Sequence, residues 1–143
     1  MTIDQVQQDI IDEFSIYDDW MDKYAYIIEQ GNALQPLDEK YKTPENIIQG
    51  CQSRVWLQTD YSDGKLQFQA ESDAVIVKGL LALVLRVFNN RTPDEIIGAD
   101  LRFMKEIGLT EHLSPTRANG LLSVIKQIRF YAMAYKAKEE KNA

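Results

Sequence analysis

Cysteine and histidine are nearly absent from this chain of 143 residues, which has one of each, Cys51 and His112. One cysteine forms no internal disulfide and cannot supply a four-cysteine metal site within a single chain. A lone reduced thiol suits the cytosol better than an oxidising compartment, so a cytoplasmic protein is expected. Positive charge is also short: 16 Lys and Arg stand against 22 Asp and Glu, a net charge of −6. Nucleic-acid binding leans on a basic patch that neutralises phosphates, so a protein partner or a small solute is the better expectation. Long apolar runs are missing as well. The longest, Val75 to Phe88, is interrupted by Lys78 and Arg86 and is too short to span a bilayer, so no membrane role is expected. The opening stretch MTIDQVQQDIIDEF has neither the basic n-region nor the apolar core of a secretory signal.

What remains is ordinary globular material. Apolar residues make up 45% of the chain, too many for a disordered one, and the length suits one domain able to bury its own core. The first thirty residues read as two helical pieces, with Ile3, Val6, Ile10, Ile11 and Phe14 at helical spacing, then Trp20, Met21, Tyr24, Ile27 and Ile28. Asp18 is placed to cap the second piece and Gly31 to follow its end. From Asn32 to Gly50 the pattern is irregular, broken by Pro36, Pro44 and Gly50, and reads as a loop-rich approach to the cysteine.

The period then changes to two. Val55, Leu57 and Thr59 alternate with Trp56 and Gln58; Ser62-Asp63-Gly64 is a turn; Leu66, Phe68 and Ala70 share one face of a second strand. An isolated hairpin is marginal in water, so a third strand or a helical cover is required. A helix from about Ala74 to Asn89 follows, with Ser72 or Asp73 as its cap, apolar almost all round and therefore central. Gly79 within it marks a close approach to a neighbour, since glycine there costs about 1 kcal/mol against alanine. Thr92-Pro93 opens a short helix, Phe103 to Ile107 forms another turn or two ended by Gly108, and Ser114-Pro115 opens the last helix. Leu121, Leu122, Val124, Ile125, Ile128 and Tyr131 form the buried stripe of that helix, and residues 138–143 are expected to fray. With no repeat and no linker, residues 1–143 read as a single α+β domain in which a small antiparallel sheet packs against helices.

Cys51 lies where loop becomes strand. A lone cysteine is more often a small buried hydrophobe than a reagent. Here Gly50 leaves the backbone before it uncrowded, and polar Gln52 and Ser53 follow, a setting that suits a thiol reached by another protein. Its chemistry would be thiolate exchange, in which access and thiolate fraction set the rate. A Cys–His hydrolase would require the fold to bring His112 to Cys51; otherwise His112 is a hydrogen-bonded loop histidine or part of a helix cap. Arg117 falls in the first turn of the last helix, where the helix dipole disfavours a cation, so it calls for an anionic partner. Asp73 and a Cys51 thiolate or persulfide are equal candidates.

Three segments carry a family resemblance over almost the whole length: Gln49-Gly-Cys-Gln-Ser-Arg-Val-Trp56, Ser72-Asp-Ala-Val-Ile-Val-Lys-Gly-Leu80 and His112-Leu-Ser-Pro-Thr-Arg-Ala-Asn-Gly-Leu121. With them the chain resembles the SufE family. The resemblance implies an α+β fold shared with the IscU-type iron–sulfur scaffold proteins and makes Cys51 the persulfide-bearing sulfur acceptor. It places Asp73 and Arg117 beside the cysteine loop, with Gln52, Ser53 and His112 as supporting residues. It implies a SufS-type cysteine desulfurase as donor, whose cofactor is pyridoxal phosphate, and a SufB-containing scaffold complex as receiver, with no cofactor or metal held by this chain. Apolar Ile47, Ile48 and Val55 are expected to line a pocket that keeps the thiol unreactive until docking. The alternative of an iron–sulfur scaffold of related fold meets the obstacle that clusters take three or more protein ligands. A homodimer is left open by the sequence.

Overall fold

The computed structural model describes residues 1–51 and 53–142, apart from the Asn142 side chain. It is built from α1 (Ile3–Ser15), α2 (Trp20–Asn32), β1 (Val55–Ser62), β2 (Lys65–Ser72), α3 (Val75–Phe88), α4 (Pro93–Ile97), α5 (Phe103–Glu106), α6 (Leu109–His112) and α7 (Pro115–Asn142), with two 3-10 turns at Glu39–Tyr41 and Pro44–Asn46. No helix among the described residues is long and apolar enough to cross a membrane.

The N-terminal helices form where caps and apolar spacing agree. Thr2 and Gln5 close a reciprocal capping box at the start of α1, with bonds of 2.7 and 3.0 Å, and Ile3, Ile10 and Phe14 face the core. The cap of α2 is Asp19 rather than the expected Asp18: its carboxylate accepts the Asp22 N–H at 2.9 Å, and the next residue, Trp20, is already helical. Gly31 is not beyond that helix but inside it. It faces Gly79 of α3, where an added β-carbon would come within 2.7 Å of the Gly79 backbone nitrogen. A β-carbon on Gly79 would in turn collide with the Ile27 carbonyl oxygen. These two glycines let the backbones of α2 and α3 approach more closely than any larger pair allows.

The hairpin has the register the alternation predicts. Val55 pairs with Ser72, Leu57 with Ala70, Thr59 with Phe68 and Tyr61 with Leu66, around Asp63 and Gly64, which both take positive φ. That pairing puts Val55, Leu57, Leu66, Phe68 and Ala70 on one buried face. Among the described residues no third strand joins, and only isolated bridges, Ile47 with Trp56 and Leu66 with Arg91, extend the sheet. The inner face is covered by α3 and α7. The outer face is partly covered by the segment before the cysteine: Lys42 pairs with Glu71 at 2.5 Å and lies 5.7 Å from the Trp56 ring, and the Leu37 N–H donates to Glu71 at 3.2 Å.

Helix α3 is the centre, with Gly79 through Leu85, Val87 and Phe88 all buried. Its cap differs from both candidates. Ala74 occupies the cap position, the Ser72 hydroxyl accepts the Ala74 N–H at 3.2 Å, and the Asp73 carboxylate turns to the Arg54 N–H instead. Thr92 and Pro93 open α4 as expected, with a capping box to Glu95. The turn α6 was not foreseen, because its four residues carry no period of their own. The Ser114 hydroxyl accepts the Arg117 N–H at 3.3 Å at the start of α7. Of the expected stripe, Leu121, Val124, Ile125 and Ile128 are buried, but Leu122 is 57% exposed. Met21, grouped with the core of α2 in the sequence, is likewise exposed. The end of α7 stays helical through Asn142 where fraying was expected, anchored in part by Lys136 to Asp94 at 2.7 Å.

The glycine crossing gives a direct test. In an open helix, Gly→Ala adds about 1 kcal/mol of stability. Gly79→Ala should instead lower the unfolding free energy by about 2 kcal/mol, because overpacking a closed crossing costs about 1–3 kcal/mol. Urea denaturation followed by circular dichroism measures it, and a gain in stability would show that the crossing is looser than described.

Candidate functional site

The chain reaches Cys51 under restraint from both sides. Before it, the Asn46 amide donates to the Tyr41 carbonyl at 2.8 Å and to the Gln58 side chain at 3.0 Å, and the Ile48 N–H donates to the Val55 carbonyl at 2.9 Å. After it, the Arg54 N–H donates to the Asp73 carboxylate at 3.1 Å, and the Asp73 N–H returns a longer bond to the Arg54 carbonyl at 3.4 Å. The loop between these clamps is therefore short. Gly50 within it has φ +91°, a conformation that side-chain-bearing residues rarely adopt, and a β-carbon there would lie 3.0 Å from the Ser123 hydroxyl of α7. Gly50 is fixed by backbone geometry and by the nearness of the last helix.

Cys51 is half-buried, with Sγ 3.7 Å from the Gly120 carbonyl oxygen. It lines a cavity of about 370 Å³ between the cysteine loop, α3 and α7. Apolar walls come from Val55, Val77, Leu80, Leu81, Leu121 and Val124; polar groups from Ser53, Ser114, Thr116 and Arg117. A β-carbon on Gly120 would sit 3.3 Å from the sulfur, so the helix leaves the thiol its place by omitting a side chain. Burial pushes the Cys51 thiol above its ordinary pKa, because a thiolate loses hydration there. The resting group is a protonated thiol of low nucleophilicity. The space beyond the sulfur is ample for one more atom, since an S–S bond adds only about 2.05 Å of reach.

The fold brings together some of the residues anticipated from sequence and separates others. Ser53 and Arg117 share the cavity with Cys51. Asp73 does not line it: its carboxylate is engaged with the Arg54 backbone, where it fixes the far end of the loop. Arg117 and Asp73 form no ion pair, so the carboxylate partner proposed for Arg117 is not Asp73; Arg117, an exposed residue, lines the sulfur's own cavity. His112 is elsewhere. Its ring stacks on Trp20 at 4.0 Å between centroids, its carbonyl accepts the Tyr24 hydroxyl at 2.7 Å, and it is not part of the cavity wall. A Cys51–His112 dyad has no geometric support. Ile47 and Ile48, expected beside the thiol, line a different cleft, because the bridge to Trp56 turns them towards the other flank of α7. Only Val55 of that trio meets the cysteine. Gln52 lies outside the described residues.

Gly120 escaped the sequence reading. The signal was available: like Gly79, it is a glycine inside an apolar-periodic helix, and such a residue marks a close approach. Thr116, Val77 and Leu80 carried no signal that could place them beside a cysteine far away in sequence.

Alkylation reads this site directly. Iodoacetamide should label Cys51 in the folded protein several-fold more slowly than in the urea-unfolded chain at neutral pH. Because burial raises the folded pKa, the labelling rate should keep rising with pH beyond the point where an ordinary cysteine levels off. Gly120→Val should expel the sulfur, speed labelling several-fold and shift that pH profile back down. Equal rates in folded and unfolded protein would show the thiol to be open.

Comparison with known proteins agrees with this architecture. Residues 8–132 match the SufE family model, described as the Fe-S metabolism associated domain. An uncharacterized SufE-like protein of Rhizobium meliloti is 48% identical over 125 residues, covering 84% of this chain and 89% of that protein. A second, from Rhizobium etli, is 46% identical over 125 residues, with 84% of each chain covered. The solution structure of a hypothetical protein from Thermus thermophilus superposes with a TM-score of 0.74 at 16% identity, over 90% of this chain and 94% of the other, a likeness of fold alone. Lone thiol, hairpin, central helix and matched sequence thus converge, and the chain belongs to the SufE family and, with it, to Fe–S metabolism.

Proposed function

We propose that this protein is a sulfur carrier: Cys51 accepts sulfur as a persulfide from a pyridoxal-phosphate cysteine desulfurase of the SufS type, and the protein hands it to an iron–sulfur scaffold complex containing SufB. The observation that carries this reading is the seat of Cys51, a single thiol in the wall of a cavity of mixed apolar and polar lining, large enough to take one more sulfur atom.

The chemistry needs little from this chain beyond the thiol. The Cys51 thiolate attacks the outer sulfur of the donor's cysteine persulfide. One S–S bond forms on Cys51 as the donor's S–S bond breaks, and the donor's cysteine leaves as a thiolate that takes up a proton. No net oxidation occurs, so no cofactor is required of the acceptor. Taking the outer sulfur from the donor's persulfide returns the donor cysteine to a thiol ready for another turnover, which is how a carrier stimulates a desulfurase. The raised pKa then has a use, because a thiol that ionises only in the complex is spared by stray electrophiles. Arg117 on the wall, in the first turn of α7, supplies positive potential towards a persulfide anion held in the cavity.

An iron–sulfur scaffold is the weaker reading: among the described residues no three His, Cys, Asp or Glu side chains are grouped to hold a metal ion, whereas a cluster takes three or more ligands.

Incubation with a cysteine desulfurase and L-cysteine should add the mass of one or more sulfur atoms to the chain, removable by reductant and absent from Cys51→Ser. The same substitution should abolish stimulation of the desulfurase while leaving the fold intact. An unmodified Cys51, or full stimulation by Cys51→Ser, would overturn the proposal. Arg117→Ala should slow loading several-fold without changing the thermal midpoint, measured by quenched-flow mass spectrometry.

A further inference from the structure

Helix α7 presents two faces beside the cysteine loop, and the sulfur cavity uses only one. Leu122, Phe130 and Met133 are each more than half exposed, at 57, 56 and 52%. At 3.6 residues per turn they fall within about 80° of one another, with Lys126 among them. Three large apolar side chains in one stripe differ from the scattered exposed apolar residues of an ordinary surface. The stripe borders Ser123, the residue that touches Gly50. Between stripe and loop runs a cleft of about 380 Å³, lined by Glu45, Ile47 and Ile48 on one side and by Lys126, Phe130 and Tyr131 on the other; Glu45 forms no ion pair with Lys126. The apolar surface is thus continuous with the flank of the loop that carries Cys51.

Charge points to what would cover it. Helix α7 holds six Lys or Arg and two Glu, a net of +4, in a chain whose total is −6. The rest of the chain therefore carries −10. Among the described residues Lys126 has no ion-pair partner. A two-fold dimer through this face would set the same basic helix, Lys126 included, against its own copy, like charge against like. A different protein with an apolar anchor and flanking carboxylates meets both requirements at once. The stripe and the Arg117 end of the helix span about 24 Å, close to the width of the roughly 800 Å² that each partner buries in a stable interface.

We infer that this face of α7, with the adjoining cleft, docks the protein that gives sulfur to Cys51, through an apolar anchor seated beside Phe130 and a carboxylate on Lys126. The inference rests on reading Cys51 as a sulfur acceptor. Docking here sets the donor against the 45–50 segment, the side from which the loop leaves the cavity.

The test uses the full chain with Phe130→Glu and Lys126→Glu, neither of which touches the sulfur cavity, and a cysteine desulfurase as the probe. The concentration of carrier giving half-maximal stimulation should rise at least tenfold for each variant, with the maximal rate retained. The Lys126→Glu defect should shrink as salt is raised, because exposed charge pairs are screened. Loading of Cys51 by a small-molecule persulfide should be unchanged, which separates lost docking from a damaged site. Unaltered half-saturation in both variants would overturn the inference while leaving the carrier reading intact. A wild-type chain that neither loads nor stimulates would bring down the carrier reading and the inference with it. A wild-type dimer that Phe130→Glu turns into a monomer in sedimentation would assign the face to a second copy and also overturn it.

Discussion

Helix α3 is buried without a break from Gly79 to Leu85, and no single amphipathic neighbour can cover a helix that is apolar all round. Each large apolar side chain left in water would cost about 1.5–3 kcal/mol, so the rest of the chain has to surround it. The two-stranded hairpin takes one side, α1 and α2 another, and α7 the remainder. The Gly31–Gly79 crossing shows how tightly this is done. A hairpin that would be marginal alone becomes stable because α3 needs its inner face as much as the hairpin needs α3.

The sulfur site is a by-product of that enclosure. Between the start of α3 and α7, the apolar side chains Val77, Leu80, Leu121 and Val124 line a cavity. The cysteine loop closes the cavity and sets a thiol in it. Desolvation then determines the chemistry: burial raises the Cys51 pKa, so the thiol stays protonated. The loop is short and held by hydrogen bonds at Ile48 and Arg54. Asp73 matters as one of these clamps, not as a charge beside the sulfur.

Much of this was legible in the residues. Hairpin register follows from strict alternation, because a slip of one would turn Leu66, Phe68 and Ala70 into water. Helix starts with local side-chain caps, Thr92-Pro93 and Ser114-Pro115, were legible for the same reason: the interaction spans three residues. The errors fall where local rules tie. Asp18 and Asp19 are equally good caps, and Ser72 and Asp73 compete for the same role until Arg54 takes one of them. Leu122 continues an apolar period into water, which a periodicity argument cannot distinguish from core.

By itself the sequence determined the two-period layout, the central helix, the singular thiol and the segments that resemble the SufE family, since each is written in neighbouring residues. Only the tertiary structure decided that Gly120 stands at Cys51, that Arg117 shares the sulfur's cavity while Asp73 turns to the Arg54 backbone, and that His112 stacks on Trp20. Those facts depend on where α7 crosses α3 and the cysteine loop. That crossing is set by the packing of side chains contributed from distant parts of the chain, and no local pattern contains it.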